Sequence, residues 1–141
     1  MIVTEINQNN FSKAIALLRK NSLPTEDISD TTKLFAVTEG DEIVGTIGVE
    51  FYDSIALLRS FAVLKVARGK GVGKKLMEFI EGFVKQNGAR KLVLLTTTAS
   101  EYFLKKGFHI IGRADAPGEI KESSEFKSTC PSSAIVMKKD L

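Results

Sequence analysis

The chain has 141 residues, of which 43% are hydrophobic and 26% charged, with a formal net charge of +3 and a single cysteine. This size and composition are typical of one soluble globular domain, which we expect over residues 1–141, and the mild, mostly scattered basic charge argues against a nucleic-acid partner. The lone cysteine excludes an internal disulfide. The absence of a leader pattern and of an apolar run of about 20 residues indicates a cytoplasmic location without a membrane partner.

The first half of the chain predicts a helix followed by an antiparallel meander. Residues 2–6 alternate as a short strand, and Asn9 or Asn10 can cap a helix. The buried face of this helix would consist of its apolar residues Phe11, Ile15, Leu17 and Leu18. A polar loop over residues 21–30 comes next. Three strands joined by tight turns then complete the meander, at residues 33–38, 43–51 and 55–64.

The second half predicts a crossover between two strands. A mostly apolar stretch leads through a glycine-rich turn into an amphipathic helix that ends near Asn87 and Gly88. A buried strand follows at residues 91–96, and the handedness rule for crossovers places it parallel to the strand before the turn. A short helix, a strand, one turn of helix and a last strand close the chain, at residues 99–106, 108–112, 120–126 and 133–138. The fold class is therefore α+β (mixed α/β), with one mixed sheet of six to seven strands and helices on both faces.

The glycine-rich turn is the segment whose residues indicate a binding site most specifically. It comprises Arg68, Gly69, Lys70, Gly71, Val72, Gly73 and Lys74. A helix that begins here directs its unpaired N–H groups and a macrodipole of about +0.5 charge at one point, and glycines let a ligand approach the backbone where a Cβ would block it. The spacing Arg-x-x-Gly-x-Gly matches neither the dinucleotide fingerprint nor the Walker loop. We therefore predict that a pyrophosphate binds at this turn.

The order of elements, together with this turn and the pattern Ala-x-x-x-Phe-x-x-x-Gly-Phe at residues 99–108, resembles the GNAT family of N-acetyltransferases. The resemblance covers nearly the whole chain. It implies a GNAT-like fold, acetyl-CoA as co-substrate, no metal, and acetyl transfer to an amine. Within the family, the chain is most similar to the small arsenic-resistance-associated group, through residues 57–60, 94–98 and 125–134.

The resemblance also implies where the acetyl-CoA would lie. Backbone amides around residues 68–74 would hold its pyrophosphate. The strand residues Phe61, Ala62 and Val63 would splay away from residues 92–96 and pair with the amide-rich pantetheine arm, as an added strand does. The acetyl carbonyl would lie in the splay, polarised by a strand N–H. Thr96 stands where relatives often carry an asparagine that touches the cofactor, and Phe103 is expected to pack against it.

The proton chemistry departs from the family pattern. Many relatives have a tyrosine four residues before the glycine of Gly-Phe, where this chain has Phe103, with Tyr102 beside it. Successive helix residues point about 100° apart, so Tyr102 does not simply replace that tyrosine. Tyr102 is the remaining candidate acid, with a packing aromatic as the alternative. Glu50, at the end of a predicted strand beside the splay, is the candidate base acting through water, with an exposed charge as the alternative.

Three further residues are candidate substrate contacts. Arg59 interrupts an apolar strand, and its guanidinium needs either a structural carboxylate or an anionic substrate group. Strand alternation places Ser60 on the opposite face from Arg59. Thr97 either lines the substrate channel or extends its strand. Cys130 is the third candidate, with a loop or packing role as the alternative, since one thiol does not make a metal or metalloid site.

Together these features predict acetyl transfer to a small-molecule amine, and an amino-acid-like toxic compound linked to arsenic resistance is one candidate acceptor. Two alternatives remain open. One is a protein or peptide N-acetyltransferase on the same fold, and the other is an acyl-CoA-binding module without catalysis. A homodimer also remains open.

Overall fold

The computed structural model describes residues 1–23, 25–29, 31–123, 126 and 134–141, with Glu119 described by its backbone alone. Within these residues, seven strands form one sheet. The strands are β1 Val3–Glu5, β2 Lys33–Glu39, β3 Glu42–Tyr52, β4 Ile55–Val63, β5 Lys91–Thr96, β6 His109–Ile111 and β7 Ile135–Asp140. The α-helices are α1 Gln8–Lys20, α2 Val72–Gln86, α3 Ser100–Lys105 and α4 Gly118–Lys121, and 3₁₀ turns lie at Lys65–Ala67 and Arg113–Asp115.

The sheet is mixed and has the strand order β1-β2-β3-β4-β5-β7-β6. Strands β1 to β4 pair antiparallel as the predicted meander, β4 and β5 pair parallel, and β7 lies antiparallel between β5 and β6. Helix α2 is the crossover between the two parallel strands. This topology confirms the predicted α+β fold with a mixed sheet, whereas one domain over residues 1–141 remains a prediction. None of the helices in the described ranges has the length and apolarity of a membrane span.

Helices cover both faces of the sheet. On one face, α2 contributes buried residues at helical spacing: Val72, Leu76, Met77, Ile80 and Val84. Alternate strand residues point to the opposite face. There, Leu18 of α1 packs in a cluster with Ala36, and Ile120 of α4 packs in another with Leu57 and Val93. Each fully buried aliphatic side chain of this kind contributes about 1.5–3 kcal/mol to folding.

Helix α1 differs from the prediction at its start and on its buried face. Asn7 is the N-cap, in place of the predicted Asn9 or Asn10, and its Oδ1 accepts a hydrogen bond from the Asn10 N–H at 3.1 Å. Phe11 is 42% exposed, so its predicted place in the core is wrong. The face that packs on the sheet holds the smaller residue Ala14 instead. The buried residues of α1 are Ala14, Leu17 and Leu18.

Strands β4 and β5 pair over only part of their length. The parallel ladder joins Ile55, Ala56 and Leu57 to the residues from Lys91 to Val93. Strand β4 continues to Val63 and β5 to Thr96, so the two strands separate beyond this ladder. The predicted splay is therefore confirmed, and its open side is where a ligand can pair with the sheet.

Candidate active site

A cavity of about 1130 Å³ lies at the splay. Its walls come from β4, the glycine-rich turn with the start of α2, the end of β5, α3 and the segment after α1. The lining residues that had been predicted from sequence are Arg59, Phe61, Ala62, Val63, Arg68, Gly69, Gly71, Val72, Gly73, Lys74, Thr96, Thr97, Tyr102 and Phe103. Glu50 and Lys70 are not among the described residues that line the cavity.

The glycine-rich turn has the backbone conformation of an anion cradle. Gly71 caps α2 with φ of 85°, in the left-handed region that disfavours side chains, and Gly69 has φ of 80°. An added Cβ at either glycine would meet no protein atom within 4 Å, so open space lies against the backbone here. The N–H groups of the first turn of the 15-residue helix α2 have no intrahelical acceptors. The turn therefore fits a pyrophosphate.

Cationic side chains lie at the same end of the cavity. Arg68 and Lys74 both line it. The Arg68 Nε donates to the Val63 carbonyl at 3.2 Å, and its Nη2 donates to Asn21 Oδ1 at 3.2 Å. These two bonds hold the guanidinium between β4 and the end of α1. The position of a fixed positive charge beside the helix N-terminus favours a phosphate ligand.

Gly73 is constrained by a protein neighbour. An added Cβ at Gly73 would lie 3.0 Å from the Tyr102 hydroxyl oxygen and 3.4 Å from a ring carbon of Phe61. The Tyr102 hydroxyl therefore lies at the N-terminus of α2, at the phosphate end of the cavity. Burial raises the pKa of Tyr102 above its ordinary value of 10.0. The phenol is accordingly neutral and a hydrogen-bond donor at physiological pH.

A β-bulge changes the direction of the β4 side chains at the centre of the cavity. The β3–β4 register shifts between Thr46 and Gly48, and Ser60 has φ of 56°. Strict alternation would put Ser60 on the opposite face from Arg59, but the Arg59 Nε donates to Ser60 Oγ at 3.3 Å. The predicted opposite orientation is wrong because the extra residue of a bulge interrupts the period of two. Both residues line the cavity.

Arg59 has carboxylate partners within the protein. Its Nη1 and Nη2 donate to the two Asp27 oxygens, each at 2.7 Å. Its Nη1 also donates to Glu50 Oε2 at 3.1 Å. The Arg59 side chain is 1% exposed. The sequence left two partners open for Arg59, a structural carboxylate or an anionic substrate. The structure shows structural carboxylates, those of Asp27 and Glu50.

Glu50 lies in the same buried network. It is 3% exposed and belongs to the interior of β3, not to an exposed strand end. In addition to the Arg59 contact, its Oε2 accepts from the Thr32 hydroxyl at 2.7 Å, and its Oε1 accepts from the Tyr52 hydroxyl at 2.8 Å. Glu50 is therefore connected to the cavity through Arg59 and does not line it.

Helix α3 contributes an aromatic wall. Phe103 is 5% exposed, and its ring centroid lies 5.9 Å from that of Phe61 and 5.5 Å from that of Phe108. The Tyr102 ring lies 5.6 Å from Phe61, and the Lys106 ammonium lies 5.3 Å from the Tyr102 ring centroid. The aromatic rings give this wall an apolar surface, which suits a pantetheine arm, and Glu101 and Lys106 add charged groups beside it.

The other residues predicted to contact the cofactor or the acceptor are Thr96, Thr97 and Cys130, and their positions differ. Thr96 Oγ1 accepts a hydrogen bond from the Ala99 N–H at 3.0 Å, so this hydroxyl stabilises the turn before α3. Thr97 and Thr98 line the cavity. Cys130 lies outside the described residues. In the part of the chain that the structure describes, no group of three or more His, Cys, Asp or Glu side chains is placed to hold a metal.

Sequence reasoning missed several of the described residues that line or support the cavity, and two of them are acidic neighbours in the loop after α1. Glu26 lines the cavity, and Asp27 holds Arg59. Both belong to a polar loop without periodicity, and the partner of Asp27 is 32 residues away in the chain. The position of Arg59 within an apolar predicted strand was the one signal that a carboxylate had to lie nearby.

Comparisons with known proteins agree with this geometry. Residues 30–110 match the family model described as an acetyltransferase (GNAT) domain. An uncharacterised N-acetyltransferase of Chlorobaculum tepidum is 28% identical over 119 residues, which are 84% of this chain and 74% of that protein.

Solved structures share the fold at low identity. N-acetylglutamate synthase from Neisseria gonorrhoeae, complexed with coenzyme A and L-arginine, matches with a TM-score of 0.80 and 15% identity, over 99% of this chain and 33% of that one. This chain thus spans about a third of the synthase. An aminoglycoside 6'-N-acetyltransferase complexed with coenzyme A matches with a TM-score of 0.73 and 19% identity, over 99% and 97% of the two chains. The glycine cradle, the splayed strands and the family match together show that the chain belongs to the GNAT family of acetyl-CoA-dependent N-acetyltransferases.

Proposed function

We propose that the protein acetylates a primary amine of a small molecule. The supporting observation is the cavity of about 1130 Å³ at the splay. Ligand cavities usually measure about 300–1000 Å³, so this one has room for the pantetheine arm together with a compact acceptor. Glu26, in the segment after α1, contributes to its wall toward the splay, which favours a small molecule over a long peptide laid across β4.

The residues that would hold acetyl-CoA follow from the cradle and the strand edge. The N–H groups at the start of α2, with Arg68 and Lys74, would bind the pyrophosphate. The β4 backbone from Phe61 to Val63 lies beyond the β5 ladder and would pair with the amides of the pantetheine arm. When bound, acetyl-CoA supplies an activated acyl group as a thioester. A β4 N–H at the splay would donate to the developing oxyanion.

The proton route is proposed to run through water and not through the predicted acid and base. Both oxygens of Glu50 accept hydrogen bonds within the buried network, which favours a structural role. The Tyr102 hydroxyl lies beside Gly73 at the phosphate end, which favours a contact with the donor and not with its leaving sulfur. The amine would attack as the neutral base, the thioester C–S bond would break, and coenzyme A would leave as a thiolate that takes up the proton lost by the amine through water in the open cavity.

A narrower proposal is that the acceptor is an amino-acid-like toxic compound linked to arsenic resistance. Its support is the resemblance of residues 57–60, 94–98 and 125–134 to the arsenic-associated group. Residues 127–133 of that tail lie outside the described ranges. The predicted anchor for an amino-acid carboxylate was Arg59. Because Asp27 and Glu50 already bind Arg59, we place the small amine first and the amino-acid-like acceptor second.

Amine-dependent release of coenzyme A tests the proposal. The purified protein is incubated with acetyl-CoA and a panel of monoamines, diamines, amino acids and lysine-containing peptides, and the free thiol and the acetylated product are measured. We expect turnover with at least one small amine above the rate without acceptor. Turnover with peptides alone would favour the protein N-acetyltransferase alternative. Binding of acetyl-CoA without any turnover would favour the non-catalytic alternative.

A further inference from the structure

The segment between α1 and β2, of which residues 21–23 and 25–29 are described, runs along β4. At one end, Asn21 accepts a hydrogen bond from Arg68 at the phosphate end of the cavity. At the other end, Asp27 binds Arg59 at the bulge, where β4 has left β5. The segment therefore spans the cavity from its phosphate end to the splay, and its Asp27 end lies where the acceptor must approach.

The contact between Asp27 and Arg59 is a buried bidentate ion pair. Two parallel hydrogen bonds of 2.7 Å join the guanidinium fork to the carboxylate. The two side chains are 1% and 7% exposed. Such a pair fixes orientation as well as distance, because both donors and both acceptors must lie in one plane. It thus attaches the segment rigidly to the bulge.

Glu26 is the residue beside this ion pair in the chain. It lines the cavity and is exposed, and its Oε2 accepts a hydrogen bond from the Thr25 N–H at 3.3 Å. Consecutive Cα atoms are about 3.8 Å apart, so the position of Asp27 sets that of Glu26 closely. A carboxylate held at a solvent-filled wall attracts a positively charged group.

We propose that the buried Asp27–Arg59 ion pair positions the Glu26 carboxylate at the acceptor end of the cavity, where it binds the positive charge of a cationic acceptor such as a diamine. The inference rests on the proposed function and names its substrate class. Glu26 is the specificity residue, because it faces the acceptor. Asp27 and Arg59 are positioning residues, because they act through Glu26 and have no need to touch the acceptor.

The experiment compares two acceptors of equal length, 1,4-diaminobutane and butylamine. One amine of the diamine reacts while the other remains charged, so only the diamine offers Glu26 a cation during transfer. We expect the wild-type protein to acetylate the diamine with the higher kcat/KM. In Glu26→Gln this preference should fall about fivefold, the upper range for an exposed charge pair, through a higher KM for the diamine. The KM for acetyl-CoA should not change.

Three further variants separate positioning from general damage. Asp27→Asn should lower the same preference by raising the KM for the diamine, with the KM for acetyl-CoA unchanged, and Asp27→Glu should restore part of it. Glu78→Gln removes an equal charge from an exposed site on α2 and should leave the preference unchanged. Melting temperatures show that the compared proteins are folded.

Four results would overturn the inference. The first is equal kcat/KM of the wild-type protein for both amines, the second is an unchanged preference in Glu26→Gln, and the third is an equal loss of preference in Glu78→Gln. Each of these leaves acetyl transfer itself intact. Failure of the wild-type protein to acetylate any small amine would instead remove the proposed function, and the inference with it.

Discussion

Replacement of Arg59 by methionine should destabilise the protein strongly. Methionine fills a similar volume but leaves the carboxylates of Asp27 and Glu50, whose side chains are 7% and 4% exposed, without their shared cation. Removal of one partner from a buried ion pair costs about 3–5 kcal/mol, a large share of the roughly 5–15 kcal/mol that stabilises a domain. For a chain of this length, the loss corresponds to a fall in melting temperature of about 10–20 °C.

Urea denaturation at pH 7 measures this loss, with circular dichroism as the signal and the wild-type protein alongside. Arg59→Lys keeps the charge but not the fork, and we expect a smaller loss. In a combined variant, Arg59→Met with Asp27→Asn and Glu50→Gln, no unpaired charge is buried, so part of the stability should return. A loss below about 1 kcal/mol for Arg59→Met alone would refute the buried network as described, because that is the range of exposed ion pairs.

Three predictions concern the donor side of the cavity. Gly71→Glu should weaken coenzyme A binding, measured by calorimetry, at least about 100-fold, because its carboxylate would repel the pyrophosphate. Gly71→Asn should lose less affinity, because asparagine tolerates the left-handed conformation. An unchanged affinity in Gly71→Glu would contradict the phosphate cradle. Tyr102→Phe should lower kcat less than about tenfold, whereas loss of a general acid typically lowers it about 10²- to 10⁴-fold. A loss in that higher range would indicate that Tyr102 is the acid. Burial raises the pKa of Tyr102 in the folded state. The contribution of the neutral Tyr102 phenol to stability is therefore complete below pH 10.0 and is lost as the pH rises through the pKa of the folded state. The melting temperature of the wild-type protein should therefore fall more steeply above pH 10.0 than that of Tyr102→Phe, and parallel curves would contradict the burial of the hydroxyl.

The parts of the structure that could be predicted from sequence are those set by local chemistry. Alternating apolar residues and tight turns predict the meander, and the glycines at the start of α2 predict a cradle whatever the tertiary contacts are. The C-cap of α2 is another such case, since Gly88 has φ of 90° as the Asn-Gly pair indicated. The splay of β4 from β5 was predicted from the family resemblance and is confirmed by the short ladder.

The parts that could not be predicted depend on contacts between distant residues. The bulge at Ser60 turns a polar side chain toward Arg59, and no alternation pattern contains that extra residue. Asp27 is a loop residue among several polar ones, and only the folded chain brings it to Arg59. Phe11 is apolar and at helical spacing, yet it is exposed, because Ala14, Leu17 and Leu18 form the face of α1 that packs on the sheet. In each case the tertiary packing determined an orientation or a partner that hydrophobicity alone left open.

A crystal structure of the protein with bound coenzyme A is the most direct test of the central claim, that the splay and the glycine-rich turn together form the acetyl-CoA site. The pyrophosphate should lie within hydrogen-bonding distance of the N–H groups at the start of α2, about 2.7–3.2 Å. The pantetheine arm should run beside Phe61 to Val63 and direct its thiol toward Arg59 and Ser60. A pyrophosphate bound elsewhere, or a pantetheine arm outside the splay, would contradict the account.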